Sequence, residues 1–383
     1  MKQFELIATS AFGLESVLAE EIKKLGYEDI KVENGRVEFK GDEGAIARCN
    51  LWLRTADRVL IKVGEFEALS FEELFEKTKA LTWPDYIPVN ANFPVAKAKS
   101  VKSKLFSLSD SQAIVKKAVV ESMKKKYNRE WFEETGPMYS IQVSILKDVA
   151  TLTIDTSGVA LHKRGYRKLN NEAPIKETLA AGMVLLSRWK SDRQLIDPMC
   201  GSATIPIEAA MIGLNMAPGS RRNFECENWP IIQSGVWKTA REEAMDLFNY
   251  ESEFKILGSD IDGQVLRNAR HNVDHFGLSD YIYFQKLSVS ELKSSKKYGY
   301  IISNPPYGER LGEKREVEEL YKTMGRVFNN LEDWSYYILT AHSDFQKLFG
   351  KKADKNRKLY NGRLLCYYYQ YFGARPPKQK SPD

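Results

Sequence analysis

An apolar run, Tyr300-Ile301-Ile302, ends abruptly at Ser303-Asn304-Pro305-Pro306-Tyr307, with Gly308 after it. Such a run reads as a strand of a parallel sheet buried on both faces. The carboxyl ends of these strands are where open α/β sheets bind ligands. Two successive prolines fix φ and remove two backbone donors, so the turn is stiff and its carbonyls are left free. The strand tip then carries a side-chain amide acceptor, open carbonyls and a phenol ring. That set suits gripping a planar base with an exocyclic NH2. A proline-rich turn would explain Pro305-Pro306 alone, but the full tetrad behind an apolar run is much more specific.

At 383 residues the chain has room for two or three domains. Cys49, Cys200, Cys226 and Cys366 lie far apart with no Cys-x-x-Cys pair. They support neither a zinc site nor a disulfide framework and point to a reducing cytoplasm. The opening Met1-Lys2-Gln3-Phe4-Glu5 lacks the apolar core of a signal peptide, and no apolar run approaches a bilayer span, so no membrane association is expected. The net charge of +6 is unevenly spread. Lys97, Lys99, Lys102, Lys104, Lys116, Lys117, Lys124, Lys125, Lys126 and Arg129 face only Asp110 and Glu121, and a second basic run follows Asp344. Either cluster alone reads as a solvated face; together, beside a base-gripping turn, they favour a polyanionic partner.

The first 65 residues read as strand, helix, hairpin, helix, strand. Leu14, Val17, Leu18, Ile22 and Leu25 form a helical stripe closed by Gly26, and Asn34-Gly35 is a strong hairpin signal. The pattern points to a small ferredoxin-like α+β module. A helix from Ser70, a strand over 92–99, a helix capped near Ser109-Asp110 and a hairpin across Lys147-Asp148 follow. The stretch closes on Leu161-His162-Lys163-Arg164-Gly165-Tyr166-Arg167, with Lys168 behind it. Basic groups around a tyrosine suit phosphate contact and base stacking.

In the second half, Asn171-Glu172-Ala173-Pro174 opens a helix carrying Leu179, Met183, Leu186 and Trp189 on one stripe. Leu195-Ile196 then runs into Asp197-Pro198-Met199-Cys200-Gly201-Ser202-Ala203-Thr204 and another helix. Strand, small-residue turn, helix is the first crossover of a doubly wound fold. A single glycine in the turn disfavours a dinucleotide fingerprint. Residues 214–250 form a long insertion, expected near the ligand cleft. The next strand ends at Asp260, where an acid reaches ribose hydroxyls, with Asp262 as a second candidate that also suits a helix N-cap. His271 and His275 sit one turn apart without a third ligand nearby, so no metal is expected. A final hairpin turns at Asn361-Gly362.

The tetrad resembles the motif of amino-group methyltransferases, which implies that Asn304, Pro305, Pro306 and Tyr307 are catalytic. Asp197 to Ser202 is similar to their first S-adenosylmethionine (AdoMet) motif. The resemblance implies cofactor contacts from Asp197, Cys200, Gly201, Ser202 and Thr204, and from Asp260 or Asp262 on the ribose. It also implies one from Ser288, where the family usually has an acid facing the adenine. Residues 66–167 resemble a THUMP domain, an RNA-binding module. RNA contacts would then come from Lys97, Lys99, Lys102, Lys104, Lys163, Arg164, Tyr166 and Arg167.

Over essentially the whole chain, the Asn-Pro-Pro-Tyr-Gly-Glu-Arg, Leu-His-Lys-Arg-Gly-Tyr-Arg and Ala-Pro-Ile-Lys-Glu-Thr-Leu-Ala-Ala-Gly runs resemble bacterial THUMP-containing large-subunit (23S) rRNA guanine-N2 methyltransferases. That resemblance implies that Glu309 and Arg310 shape the pocket entrance or the guanine edge. The expected fold is α/β: an AdoMet-dependent Rossmann-like methyltransferase domain over 168–375, preceded by a ferredoxin-like module over 1–65 and a THUMP domain over 66–167. A tail over 376–383 follows. Methyl transfer to a guanine N2 of 23S rRNA is the expected activity. The runner-up is a tRNA guanine-N2 methyltransferase. A DNA adenine-N6 methyltransferase shares the tetrad, but the basic amino-terminal half favours RNA. A non-catalytic RNA-binding assembly protein would have no use for Asp197, Gly201, Asp260 and Asn304 together.

Overall fold

Alternating apolar residues set the register of a sheet that runs through the whole amino-terminal half. The computed structural model describes residues 2–167, 174–308 and 313–377. Lys168, Asn171, Glu172, Ala173, Glu309 and Arg310, named above, lie outside them, as does most of the 376–383 tail. The described residues form two compact units. In chain order the first half holds β1 (Phe4–Ser10), α1 (Glu15–Lys24), β2 (Lys31–Glu33), β3 (Arg36–Gly41), α2 (Glu43–Trp52) and β4 (Ala56–Glu67). Then come α3 (Phe71–Lys79), β5 (Val95–Val101), α4 (Leu108–Tyr127), β6 (Ile141–Leu146) and β7 (Val149–Asp155).

The seven strands make one sheet in the order β2-β3-β1-β4-β7-β6-β5. All pairs are antiparallel except β5 with β6. The first four strands have the ferredoxin-like order, and β4 pairs with β7 along its other edge. Local chemistry fixes the joints. The β6–β7 turn needs φ > 0 at both central residues, and Lys147 and Asp148 adopt +51° and +66°. Asp42 and Ser70 cap α2 and α3 by accepting backbone N–H groups. The α4 cap is Ser107 rather than Ser109-Asp110, because its hydroxyl reaches the Asp110 N–H.

The second half adds α5 (Glu177–Ser187), β8 (Leu195–Asp197), α6 (Thr204–Gly213), α7 (Val236–Asp246), β9 (Ile256–Asp260), α8 (Gly263–His275) and β10 (Ile282–Lys286). It ends with β11 (Tyr300–Ser303), α9 (Glu313–Phe328), β12 (Ser335–Thr340), α10 (Phe345–Phe349), β13 (Lys355–Asn361) and β14 (Leu364–Tyr371). The sheet order is β10-β9-β8-β11-β12-β14-β13. β10 through β12 are parallel neighbours, and the closing hairpin pairs antiparallel. This is the expected doubly wound fold, and the β8/β11 junction is its topological switch point. Among the described residues, no helix is long and apolar enough to cross a membrane.

Two expectations are overturned here. Residues 219–244 of the long insertion belong to the amino-terminal unit, not to the cleft of the doubly wound one. Phe224, Trp229 and Trp237 enter that unit's core. Trp229 stacks on Tyr139 with centroids 4.1 Å apart and donates its indole N–H to the Met138 carbonyl at 2.9 Å.

Three of the four RNA contacts expected in the run 161–167 are also taken up inside the protein. Arg164 and Tyr166 are 2% and 1% exposed and cannot meet phosphate or base. Arg164 pairs with the fully buried Glu208 of α6 at 3.4 Å, and the Tyr166 hydroxyl donates to the same carboxylate at 3.1 Å. Arg167 is taken up likewise, by Glu177 at 3.1 Å, the Ile175 carbonyl at 3.0 Å and the Thr204 hydroxyl at 2.9 Å. Of the four, only Lys163 is exposed. Removing one partner of a buried ion pair is strongly destabilising, by roughly 3–5 kcal/mol. Arg164→Ala should therefore lower the urea midpoint by that equivalent, and an unchanged midpoint would show that the cluster is not an anchor.

Candidate active site

The site is built where β8 and β11 end side by side. Their ladder pairs Tyr300 with Leu195 and Ile301 with Ile196. Past the ladder, the Ser303 hydroxyl donates to Asp197 Oδ1 at 2.8 Å, and the Met199 N–H reaches the same oxygen at 3.3 Å. Asp197 is 1% exposed, and burial pushes its carboxyl up to about 7 against those two hydrogen bonds, with Asp260 adding to the rise. The following turn takes a left-handed conformation at Gly201 (φ +53°) and at Ala203 (φ +68°). The Cys200 N–H donates to the Ser259 carbonyl at 2.9 Å, and the Gly201 N–H to Asp260 Oδ2 at 3.1 Å. Neighbouring strand tips are thus tied to one turn.

These elements line an open cavity of about 160 Å3. Asp197, Cys200, Gly201, Ser202, Thr204 and Asn304 line it, together with Pro174, Ile175, Met199 and Ile205, none of which was among the expected contacts. Asp260, Asp262 and Ser288 lie outside that lining. Asp262 caps α8 through the Gln264 N–H at 2.8 Å, so helix capping accounts for it. Ser288 likewise caps a short turn that Glu291 closes from the other side. The Cys200 thiol is pushed well up by burial, which disfavours its thiolate form.

The tetrad differs in detail from the free turn expected of two prolines. Tyr321 of α9, fully buried, donates its hydroxyl to the Pro306 carbonyl at 2.8 Å and sits 2.8 Å from the Thr340 hydroxyl. That carbonyl is therefore not an open acceptor. The Pro305 carbonyl has no donor among the described residues. The Tyr307 hydroxyl donates to Asn304 Oδ1, and its ring packs against the cluster that holds Leu359 and Cys366. Asn304 Oδ1 thus accepts one hydrogen bond and keeps its second lone pair.

A cofactor with a cationic amino group and polar tail fits this cavity. The buried Asp197 carboxylate opens onto it, and a Cβ built at Gly201 would meet nothing within 4 Å, leaving the backbone free for close approach. Fold and site together define an AdoMet-dependent methyltransferase. The chain belongs to the RMKL-like methyltransferase family, whose domain model matches residues 164–370. An RlmL ferredoxin-like domain matches 5–60 and a THUMP domain matches 68–155.

The candidate RNA methyltransferase YpsC of Bacillus subtilis (strain 168) is 49% identical over 385 residues, spanning 100% of both chains. A solved structure of a candidate methyltransferase, SMU.472, complexed with SAH, is similar at TM-score 0.94 and 48% identity. The match covers 98% of this chain and 100% of that one. A Listeria monocytogenes str. 4b F2365 structure, named as a predicted N6-adenine-specific DNA methylase, superposes at TM-score 0.93 with 53% identity. It covers 98% of this chain and 97% of that chain.

Tyr321, Thr340 and Ser303 had no sequence signal, because each acts through a fold contact rather than through a motif position. Removing the Tyr321 hydroxyl frees the Pro306 carbonyl, and small misplacements of a reacting group are expensive in rate. Tyr321→Phe should lower kcat by about tenfold or more while leaving the AdoMet Kd unchanged. An unaltered kcat would remove Tyr321 from the positioning machinery.

Proposed function

We propose that this protein transfers the AdoMet methyl group to the exocyclic N2 of a guanine in RNA, with large-subunit rRNA as the substrate class. The observation that carries the reading is the shared cavity of Asp197 and Asn304, joined through Ser303. The RNA half rests on the THUMP match, on the exposed lysines of β5 and on the name carried by the Bacillus relative. The guanine-N2 half rests on the extended Asn-Pro-Pro-Tyr run and the RlmL-type amino-terminal module.

Asp197 would hold the methionine amino group, Gly201 and Ser202 the methionine backbone, and Asp260 the ribose. The bound cofactor supplies a sulfonium methyl. An exocyclic base nitrogen is a poor nucleophile because its lone pair is delocalised into the ring. Asn304 Oδ1 and the Pro305 carbonyl would each accept one N–H, which localises the lone pair and aims it at the methyl. Preorganised acceptors also stabilise the positive charge growing on nitrogen. The N–C bond forms as the C–S bond breaks, and the surplus proton leaves to water. Tyr307, once released from Asn304, is free to stack on the extruded base.

A second reading, adenine N6 in DNA, shares the tetrad and is the activity in the name of the Listeria relative. One assay separates them. Purified protein with tritiated AdoMet is offered deproteinised 23S rRNA, 16S rRNA, bulk tRNA and DNA, and labelled nucleosides are resolved. The expected label is N2-methylguanosine from 23S rRNA. Label in tRNA moves the target, and N6-methyladenosine in DNA overturns the reading. In the same assay Asn304→Ala should lose a hundredfold or more, by roughly the magnitude of other removed transition-state contacts, while AdoMet still binds.

The Asp197 assignment has its own signature. A carboxyl raised to about 7 is ionised more fully as pH rises through neutrality. A cationic amino group therefore binds more tightly at pH 8 than at pH 6, by about tenfold for a group half-titrated near 7. Binding near pH 7 should release protons, seen by calorimetry in buffers of different ionisation enthalpy. The sign for the free protein is opposite. The folded state holds this proton more tightly than the unfolded one, so the group's stabilising contribution is lost as pH rises towards 7. Affinity that does not change between pH 6 and 8 would remove Asp197 from the amino-group contact.

A further inference from the structure

Phe106, on the loop between β5 and α4, is 82% exposed, the highest value for a large apolar side chain among the described residues. The loop that presents it is tightly built. Leu105, one residue earlier, is buried at 5% and its carbonyl accepts the Ser100 hydroxyl at 2.6 Å. Ser103 donates to the Val101 carbonyl at 3.0 Å and accepts the Asp148 N–H at 3.0 Å. The Lys104 N–H donates to Asp148 Oδ1 at 2.6 Å, and the Lys147 N–H reaches the Val101 carbonyl at 3.1 Å. Ser107 then caps α4. With Leu105 locked inward and the backbone pinned on both sides, the ring is held outward with little ordering entropy left to lose on contact.

Its surroundings are cationic. Lys97 and Lys99 on β5, and Lys102 and Lys104 on the loop, are exposed and form no ion pair with a described carboxylate. On α4, Lys116 pairs with Glu134 and Lys124 with Glu121 and Glu130, while Lys117, Lys125 and Lys126 are exposed without an ion pair to a described carboxylate. Of the nearby acids, Asp148 accepts the Lys104 N–H, and Glu73 of α3 pairs with Lys77 and accepts the Leu69 N–H while also feeling the Lys104 charge. Asp110 lies in the first turn of α4. β5 is an edge strand, and edge lysines alone would serve to block strand pairing. An exposed aromatic beside that edge works against such a purpose, so the pair needs a different explanation.

We propose that Phe106 is a stacking platform for an unpaired nucleotide of RNA, with Lys102 and Lys104 on the flanking phosphates and Lys97 and Lys99 extending the track along β5. The proposal rests on the RNA reading above and names where on this unit a single strand sits. A flat apolar ring takes any base, and lysines at the backbone add affinity without sequence choice.

The test is fluorescence anisotropy of the full chain with a labelled single-stranded RNA of mixed sequence, and with the same RNA annealed to its complement, over a range of salt. Phe106→Ala should weaken single-strand binding about tenfold with the salt slope and duplex binding unchanged, and Phe106→Trp should restore it. Replacing Lys97, Lys99, Lys102 and Lys104 by Ala should flatten the salt slope instead. Wild-type binding by Phe106→Ala alongside loss in the lysine variant overturns the platform and keeps the RNA face. Wild-type binding by both variants overturns the RNA face as well. An equal loss on duplex would also sink the platform, since a paired base offers no face to the ring. Phe106 is exposed, so its variants should melt with the wild type.

Discussion

The doubly wound half depends on a carboxylate that is buried before anything binds to it. Asp197 ends β8 where the ladder with β11 runs out, and the Ser303 hydroxyl continues the pairing by side chain where the backbone cannot. Its partners are neutral, a hydroxyl and an amide, and the one described charge raising its pKa is another carboxylate. An ionised carboxylate in such surroundings lacks a counter-charge, which is why it holds its proton nearly to neutrality. The same hydrogen bond fixes Ser303, and Asn304 is the next residue. The cavity and the Asn-Pro-Pro-Tyr turn are thereby parts of one construction.

Elements that rest on local chemistry could be read from the chain. Asn34-Gly35 and Lys147-Asp148 turn hairpins because their neighbours alternate, and Asp197 to Thr204 turns because Gly201 permits it. The ferredoxin-like order of the first four strands and the doubly wound order of the second half follow from the sequence of strands and crossovers, whereas the joining of β4 to β7 in one sheet carried no local signal. The cavity was legible to the same degree: the motif residues from Asp197 to Thr204 and Asn304 line it. Asp260 was legible as a strand-tip acid, yet its oxygens engage the Gly201 and Asp262 N–H groups and not the cavity wall.

Charge and length were the misleading signals. Arg164, Tyr166 and Arg167 look like a nucleic-acid patch because a sequence shows their charge but not Glu208 and Glu177, which neutralise them from helices up to 44 residues on. Nothing in a linear pattern separates a buried ion pair from an exposed cation when the partner is that distant. The 214–250 insertion misled for a related reason. Its length and position implied a loop over the cleft, but Phe224, Trp229 and Trp237 give it an apolar face, and such a face goes to whichever core has room for it. The aromatic content of the insertion was the better guide than its place in the chain.

Within the tetrad, stiffness and vacancy pull against each other. Two prolines remove donors that would otherwise saturate the turn, but a bare carbonyl near a core is itself unfavourable unless something bonds to it. Tyr321 resolves this at Pro306 permanently, from a fully buried position on α9. Tyr307 resolves it at Asn304 differently, through a partly buried side chain belonging to the turn itself. The acceptor is thus satisfied by a side chain of the same turn, so the Tyr307 hydroxyl, and not its ring alone, completes the hydrogen bonding of the turn.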